Sequence, residues 1–182
     1  VVRDNYFDNN YEGLFVIKAT GITIQNNLIV NQRYDGINIS EGSDVKVLYN
    51  TIDKNKILRG IKVYKTTLLV IKNNLVTNNN GGIYCSSVPT NAVIAYNDVY
   101  SNKGSGRIAS SEYSGCAGGV GSVSVDPKYV GVGANMMEKH ELKSDSPVLK
   151  AGENSTKLGW SRPGEVSQPS QKGPKLITGV FY

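Results

Sequence analysis

The chain has 182 residues, enough for one solenoid domain, with 20 Lys+Arg against 15 Asp+Glu and a net charge of +5. The basic residues are scattered rather than gathered into a stripe, which argues against a nucleic-acid surface. No stretch is apolar enough to span a membrane as a helix, and no Gly-rich phosphate loop opens a helix, so nucleotide-cofactor chemistry is excluded.

From the first residues onward an asparagine-led phrase recurs. It reads Asn5-Tyr6-Phe7-Asp8-Asn9-Asn10, then Asn27-Leu28-Ile29-Val30-Asn31, Asn50-Thr51-Ile52-Asp53-Lys54-Asn55, Asn74-Leu75-Val76-Thr77-Asn78-Asn79 and Asn97-Asp98-Val99-Tyr100-Ser101-Asn102. The intervals between the leading asparagines are 22, 23, 24 and 23 residues. A period of this size with β-branched residues at fixed offsets predicts a solenoid. Within residues 22–44, Ile22-Thr23-Ile24 alternates as a half-buried strand, Asn27 opens a bend, and a short apolar piece surrounds Ile29. Gly36 then precedes a second alternating strand, Ile37-Asn38-Ile39-Ser40, and Glu41-Gly42-Ser43-Asp44 turns into the next copy. Each copy therefore holds three short strands and three bends.

The inward columns follow from the alternation. They are Ile24, Val47, Ile71 and Ile94; Phe7, Ile29, Ile52, Val76 and Val99; Leu14, Ile37, Ile61 and Ile83; and Val16, Ile39, Val63 and Cys85. Coils stacked about 4.8 Å apart bring like residues into van der Waals contact. The column Asn5-Asn27-Asn50-Asn74-Asn97 is expected at a bend, its amides bonded above and below as a ladder. A leucine-rich repeat has a similar period, but the core here is Ile and Val, no segment has helical periodicity, and a Gly opens the second strand of each copy.

With these features residues 1 to about 102 resemble the right-handed parallel β-helix of secreted bacterial carbohydrate-active and surface proteins. The fold class expected is all-β, a single-stranded right-handed parallel β-helix that is N-terminally incomplete. Val2 falls in the column of Ile24, so missing N-terminal coils of the same protein are the expected neighbours of the first coil. A secreted or cell-surface location goes with the resemblance. Residues 1–110 are expected to form the coils, 111–152 a loop and capping segment, and 153–182 a polar tail ending in an extra strand.

Residues 103–124 are rich in Gly and Ser and read as a long loop. Val125-Asp126-Pro127-Lys128-Tyr129-Val130 and Ser146-Pro147-Val148-Leu149-Lys150-Ala151-Gly152 look like the closing phrases of many secreted β-helix proteins, which implies a cap on the last coil. Lys150 stands where that ending usually has Asp. Cys85 reads as a small core residue, and a Cys85–Cys116 disulfide is open if the loop folds back over the barrel. His140 lies outside the repeats, so no histidine-based mechanism is supported.

Acidic, basic and aromatic residues converge along the strand that follows each Gly. Its outward columns are Phe15, Asn38, Lys62, Tyr84 and Ile17, Ser40, Tyr64, Ser86. The residues just before each Gly are Glu12, Asp35, Arg59 and Gly81, and before these come Tyr11, Tyr34, Leu58 and Asn80. Like charges on adjacent strands repel, so Glu12 beside Asp35 asks for a reason. The pair could hold Ca²⁺, could share a proton as paired acids do in glycoside hydrolysis, or could be neutralised by Arg59. Lys62 and Arg59, with Asp35 and Glu12, are the candidate catalytic residues for elimination or hydrolysis. Lys62 is the candidate base, and Tyr34 or Tyr64 the candidate proton donor. Tyr34, Tyr64, Tyr84 and Asn38 are the candidate sugar contacts. The Asn-Thr-Asp, Asp-Asp and Gly-His-Gly motifs of polygalacturonase-type hydrolases are absent, as is the Tyr-Gly-x-Asp-Pro-His motif of mannuronan epimerases. The resemblance thus implies a protein that binds or processes a polysaccharide, an acidic one given the net charge. A non-catalytic structural or adhesive surface module is the alternative.

Overall fold

A computed structural model of the chain describes residues 1–88, 91–104 and 111–164. The chain winds through three parallel sheets in turn, one short strand per sheet per coil. The first sheet holds β1 (Val2–Arg3), β4 (Thr20–Gln25), β7 (Ser43–Leu48), β10 (Thr67–Lys72) and β13 (Val93–Ala95). The second holds β2 (Tyr6–Asp8), β5 (Leu28–Val30), β8 (Thr51–Asp53), β11 (Leu75–Thr77) and β14 (Asp98–Tyr100). The third holds β3 (Leu14–Ile17), β6 (Ile37–Ser40), β9 (Arg59–Tyr64), β12 (Gly81–Ser86) and β15 (Tyr113–Ser114). This is a β-solenoid, and its registers reproduce the expected columns. Ile24 pairs with Val47, and Val47 with Ile71. Ile29 pairs with Ile52, and Ile52 with Val76. Ile37 pairs with Ile61, and Ile61 with Ile83. These side chains form one continuous core inside the coils.

Two amide ladders hold the bends. In the first, Asn27 Nδ2 donates to Asn50 Oδ1 at 2.9 Å, Asn50 Nδ2 to Asn74 Oδ1 at 3.1 Å, and Asn74 Nδ2 to Asn97 Oδ1 at 2.9 Å. Each amide also donates to backbone carbonyls, as Asn50 does to Ile24 and Leu48. The buried polar groups are thereby satisfied, which removes the desolvation penalty they would otherwise carry. The second ladder, not anticipated from the sequence, lies five residues further on. There the backbone N–H groups of Asn10, Gln32, Asn55 and Asn79 donate to the side chains of Gln32, Asn55, Asn79 and Asn102 in turn. The glycines before the third sheet are required by close approach. A Cβ at Gly36 would fall 2.7 Å from the Gly60 carbonyl oxygen, and one at Gly60 would fall 2.9 Å from Asn79 Nδ2. The coil corner therefore brings backbone and ladder too close for any side chain.

The closing phrases differ from expectation. Rather than sitting on the last coil, residues 123–161 lie along the outer side of the second sheet. Trp160 packs on Leu28 and Val30 with Met136 and Met137, and Val148 and Leu158 pack on Leu75 with Tyr129 and Leu142. A helix, α1 (Met136–Lys139), and two 3₁₀ turns, Pro147–Lys150 and Glu153–Ser155, shape this strap. The reason lies in the parity of the strands. Leu28, Val30 and Leu75 point away from the solenoid interior, so this apolar outer face needs a cover. The strap also covers Thr51. Thr51 faces outward but is not solvated: it is 2% exposed beneath Gly159, and its Oγ1 accepts the Trp160 N–H at 2.9 Å.

Residues 111–123, expected to be loop, instead form an irregular extra turn. Tyr113 pairs with Ile83, Asp98 bridges to Val123, and Gly119 donates its N–H to the Ile94 carbonyl at 2.9 Å. Cys85 and Cys116 form a disulfide with Cα atoms 5.5 Å apart, which pins this turn to the last full coil. The expected terminal strand, Leu176–Tyr182, lies outside the described residues.

Candidate functional site

The site is built on the outer face of the third sheet. Phe15 pairs with Asn38, Asn38 with Lys62, and Lys62 with Tyr84. Ile17, Ser40, Tyr64 and Ser86 form the neighbouring outward row. The outward rows are therefore in the expected register: one step along the solenoid axis carries each row onto the next coil. Phe15 is 56% and Ile17 49% exposed, so β3 presents two apolar side chains on this face.

Arg59 opens β9 and lays its guanidinium over Tyr84 of the next coil, Cζ to ring centroid 4.1 Å. This cation–π contact orients the guanidinium without neutralising it. Lys65 stands 5.1 Å over the Tyr64 ring in the same way. Among the described residues neither Arg59 nor Lys62 forms an ion pair.

The two carboxylates are in different circumstances. Glu12 receives the Asn38 amide at 3.3 Å. Burial pushes its carboxyl up, Asp35 adds to this, and the Asn38 hydrogen bond and the Lys62 charge oppose it. Asp35 is fully shielded, and its Oδ1 accepts the Arg59 backbone N–H at 2.9 Å, while Oδ2 has no hydrogen-bond partner. Burial raises this carboxyl too, against the Arg59 N–H and the charges of Lys62 and Arg59. Asp35 thus tethers the start of β9 beneath Arg59, and Asn38, expected as a sugar contact, is buried too at 6% exposed, whereas Glu12, Lys62 and Arg59 are partly exposed. For the calcium expectation, Glu12 and Asp35 supply two carboxylates. Among the described residues no group of three or more His, Cys, Asp or Glu side chains gathers as a metal set.

At the bend leading into the sheet, Tyr11 and Tyr34 stack on adjacent coils, with ring centroids 4.4 Å apart and planes inclined by 41°. Tyr11 is 64% exposed. The Arg33 guanidinium lies 5.6 Å from the Tyr34 centroid and 6.0 Å from that of Tyr11. Sequence reasoning passed over Arg33. Lys56 stands at the same position in the next coil, six residues after the leading asparagine, so the signal was a pair of stacked cations beside Tyr34.

His140, set aside at the sequence level, is a structural residue. Its ring is 4% exposed, with Nε2 3.0 Å from Asp53 Oδ2 and Nδ1 2.7 Å from the Met136 carbonyl. It joins the strap to the second sheet and lies away from the rows just described.

A family profile described as "Right handed beta helix region" matches residues 1–117, and the chain belongs to that family. No curated protein and no solved structure matches it. Among the described residues no helix is long and apolar enough to cross a membrane.

Proposed function

We propose that the outer face of the third sheet binds an acidic, uronate-containing polysaccharide outside the cell. The observation that carries this is the set of Arg59 and Lys62, free of ion pairs among the described residues, with Lys62 in register with Tyr84, Arg59 over the Tyr84 ring and Tyr64 further along β9. Cations without a protein carboxylate are open to charge-assisted hydrogen bonds from a ligand carboxylate. The tyrosine rings offer apolar faces with a polar tip, suited to the mixed surface of a sugar. Because rows repeat at about 4.8 Å along the axis, a polymer lying across the coils passes Phe15, Asn38, Lys62 and Tyr84 in succession. The Cys85–Cys116 disulfide accords with an oxidising, extracellular setting. Binding is favoured over cleavage by the position of Asp35, whose Oδ1 is occupied by the Arg59 N–H and which no solvent reaches.

A protein-adhesive surface module draws on the exposed Phe15 and Ile17 of the same face. The two readings separate in a calorimetric titration with oligogalacturonate and with a neutral glucan oligomer. Lys62→Ala and Arg59→Ala are each expected to weaken oligogalacturonate binding about 10-fold, the loss of one charged hydrogen bond. Their melting temperatures should stay near that of the parent chain. Unchanged affinity in both variants would move the site off this sheet.

A further inference from the structure

A groove at the bend before the third sheet is lined by Asn9, Asn10, Tyr11, Arg33, Lys56 and Ile57. Its volume is about 500 Å³ and it opens to solvent. Three coils contribute to it, and backbone bonds fix their stacking. Arg33 N–H donates to the Asn10 carbonyl at 2.8 Å, Tyr34 N–H to Tyr11 at 2.9 Å, and Lys56 N–H to Gln32 at 2.9 Å. The second amide ladder runs directly beneath, with the Gln32 side chain accepting the Asn10 N–H at 2.8 Å.

The chemistry of the lining is one-sided. It holds two cations and no carboxylate. Among the described residues neither Arg33 nor Lys56 forms an ion pair. Arg33 is steered by the Tyr34 and Tyr11 rings, and Lys56 Nζ donates to Asn9 Oδ1 at 2.9 Å. The nearest acids are turned elsewhere: Glu12 faces Asn38, and Asp8 accepts from Tyr6 and Asn31. A guanidinium braced by aromatic rings keeps its in-plane donors free, the arrangement that suits an anionic oxygen pair. Tyr11, the most exposed ring here, supplies a flat apolar wall beside it.

We propose that this groove is a subsite for one sugar ring bearing an anionic group, with Arg33 and Lys56 holding the anion and Tyr11 packing on the ring. The inference rests on the polysaccharide reading above and adds to it the place where the charge is recognised. Carboxylate and sulfate ester share the required chemistry.

The test is a calorimetric titration of the full chain with hexamers of galacturonan, of sulfated galactan and of neutral galactan. It uses Arg33→Ala/Lys56→Ala, Tyr11→Ala and, for the sheet face, Lys62→Ala. All these side chains lie outside the solenoid core, and an unchanged melting temperature confirms the fold. The expected result is a loss of about 10-fold or more for the anionic hexamers in the double variant, with neutral galactan unaffected, and a smaller loss for all ligands in Tyr11→Ala. Loss confined to the galacturonan or to the sulfated arm identifies the anion. If the double variant binds both anionic hexamers as tightly as the parent while Lys62→Ala loses affinity, the groove assignment is overturned and the sheet-face reading stands. If the parent chain binds none of the three hexamers, the polysaccharide reading itself falls and takes the groove with it.

Discussion

Ile52→Asp is expected to unfold the solenoid. Ile52 is completely buried between Ile29 and Val76 in the middle of the second sheet, among the apolar side chains of the core. An unpaired carboxylate in such a place costs several kcal/mol, a large share of the 5–15 kcal/mol (roughly) that holds a domain of ordinary stability. Thr51→Asp, one residue earlier, should behave differently. The position faces the strap, where an aspartate oxygen keeps an acceptor for the Trp160 N–H but must fit beneath Gly159. A loss of about 1–3 kcal/mol is expected, with residues 156–161 loosened and the coils intact. Circular dichroism melts combined with limited proteolysis separate the two outcomes. A parent-like melting temperature for Ile52→Asp would contradict the assigned register.

His140→Ala is expected to release the strap at a cost of about 1–3 kcal/mol, the penalty for removing one hydrogen-bond partner of a buried carboxylate. Asp53 is inaccessible and is held by Thr77 Oγ1 at 2.7 Å, Asn78 Nδ2 at 2.8 Å and His140 Nε2 at 3.0 Å. Lys54 Nζ, 3.6 Å from Asp53 Oδ2, remains after the substitution, which places the effect toward the lower end. Both His140 ring nitrogens lie within hydrogen-bond distance of oxygen atoms. The pH dependence follows from Asp53. Burial alone would raise its carboxyl, but the bonds from His140, Asn78 and Thr77 outweigh this and hold it below the usual carboxylate range. A depressed folded value means the contribution is fully present above the ordinary Asp value of about 3.9 and is lost as pH falls through the lower folded value. Urea denaturation across that window should show a steeper acid loss in the parent than in His140→Ala. Hydrogen exchange should show residues 123–161 opening in the variant. Equal exchange of this segment in both proteins would remove His140 as the anchor.

The coils were legible because a solenoid repeats its chemistry. Ile29, Ile52 and Val76 announce a shared column by recurring at one offset, and the leading asparagines announce a ladder in the same way. The second ladder was equally written, in Asn10, Asn55, Asn79 and Asn102, but Gln32 breaks its spelling and masks the column. The strap was harder to place. Its phrases mark a closing segment without saying what it closes on. The clue was in the coils, where Leu28, Val30 and Leu75 put apolar side chains on an outer face that could not stay bare. Residues 111–123 carry little apolar alternation, so their turn is set by backbone pairing and the disulfide, which leave almost no trace in the sequence. On the third sheet the rows themselves were readable from the Gly offsets. The burial of Asp35 was not, because it depends on where the carboxylate turns beneath Arg59. Arg33 was passed over for a related reason: its role comes from two rings on different coils.

On the reading proposed above, the outer face of the third sheet holds an acidic polysaccharide. Native affinity electrophoresis tests it most directly, with the 182-residue chain run through gels containing polygalacturonate, alginate or a neutral β-glucan. The account predicts retardation in at least one acidic gel, relieved by Lys62→Ala, and free migration in the neutral gel. Equal migration in all three gels would contradict it.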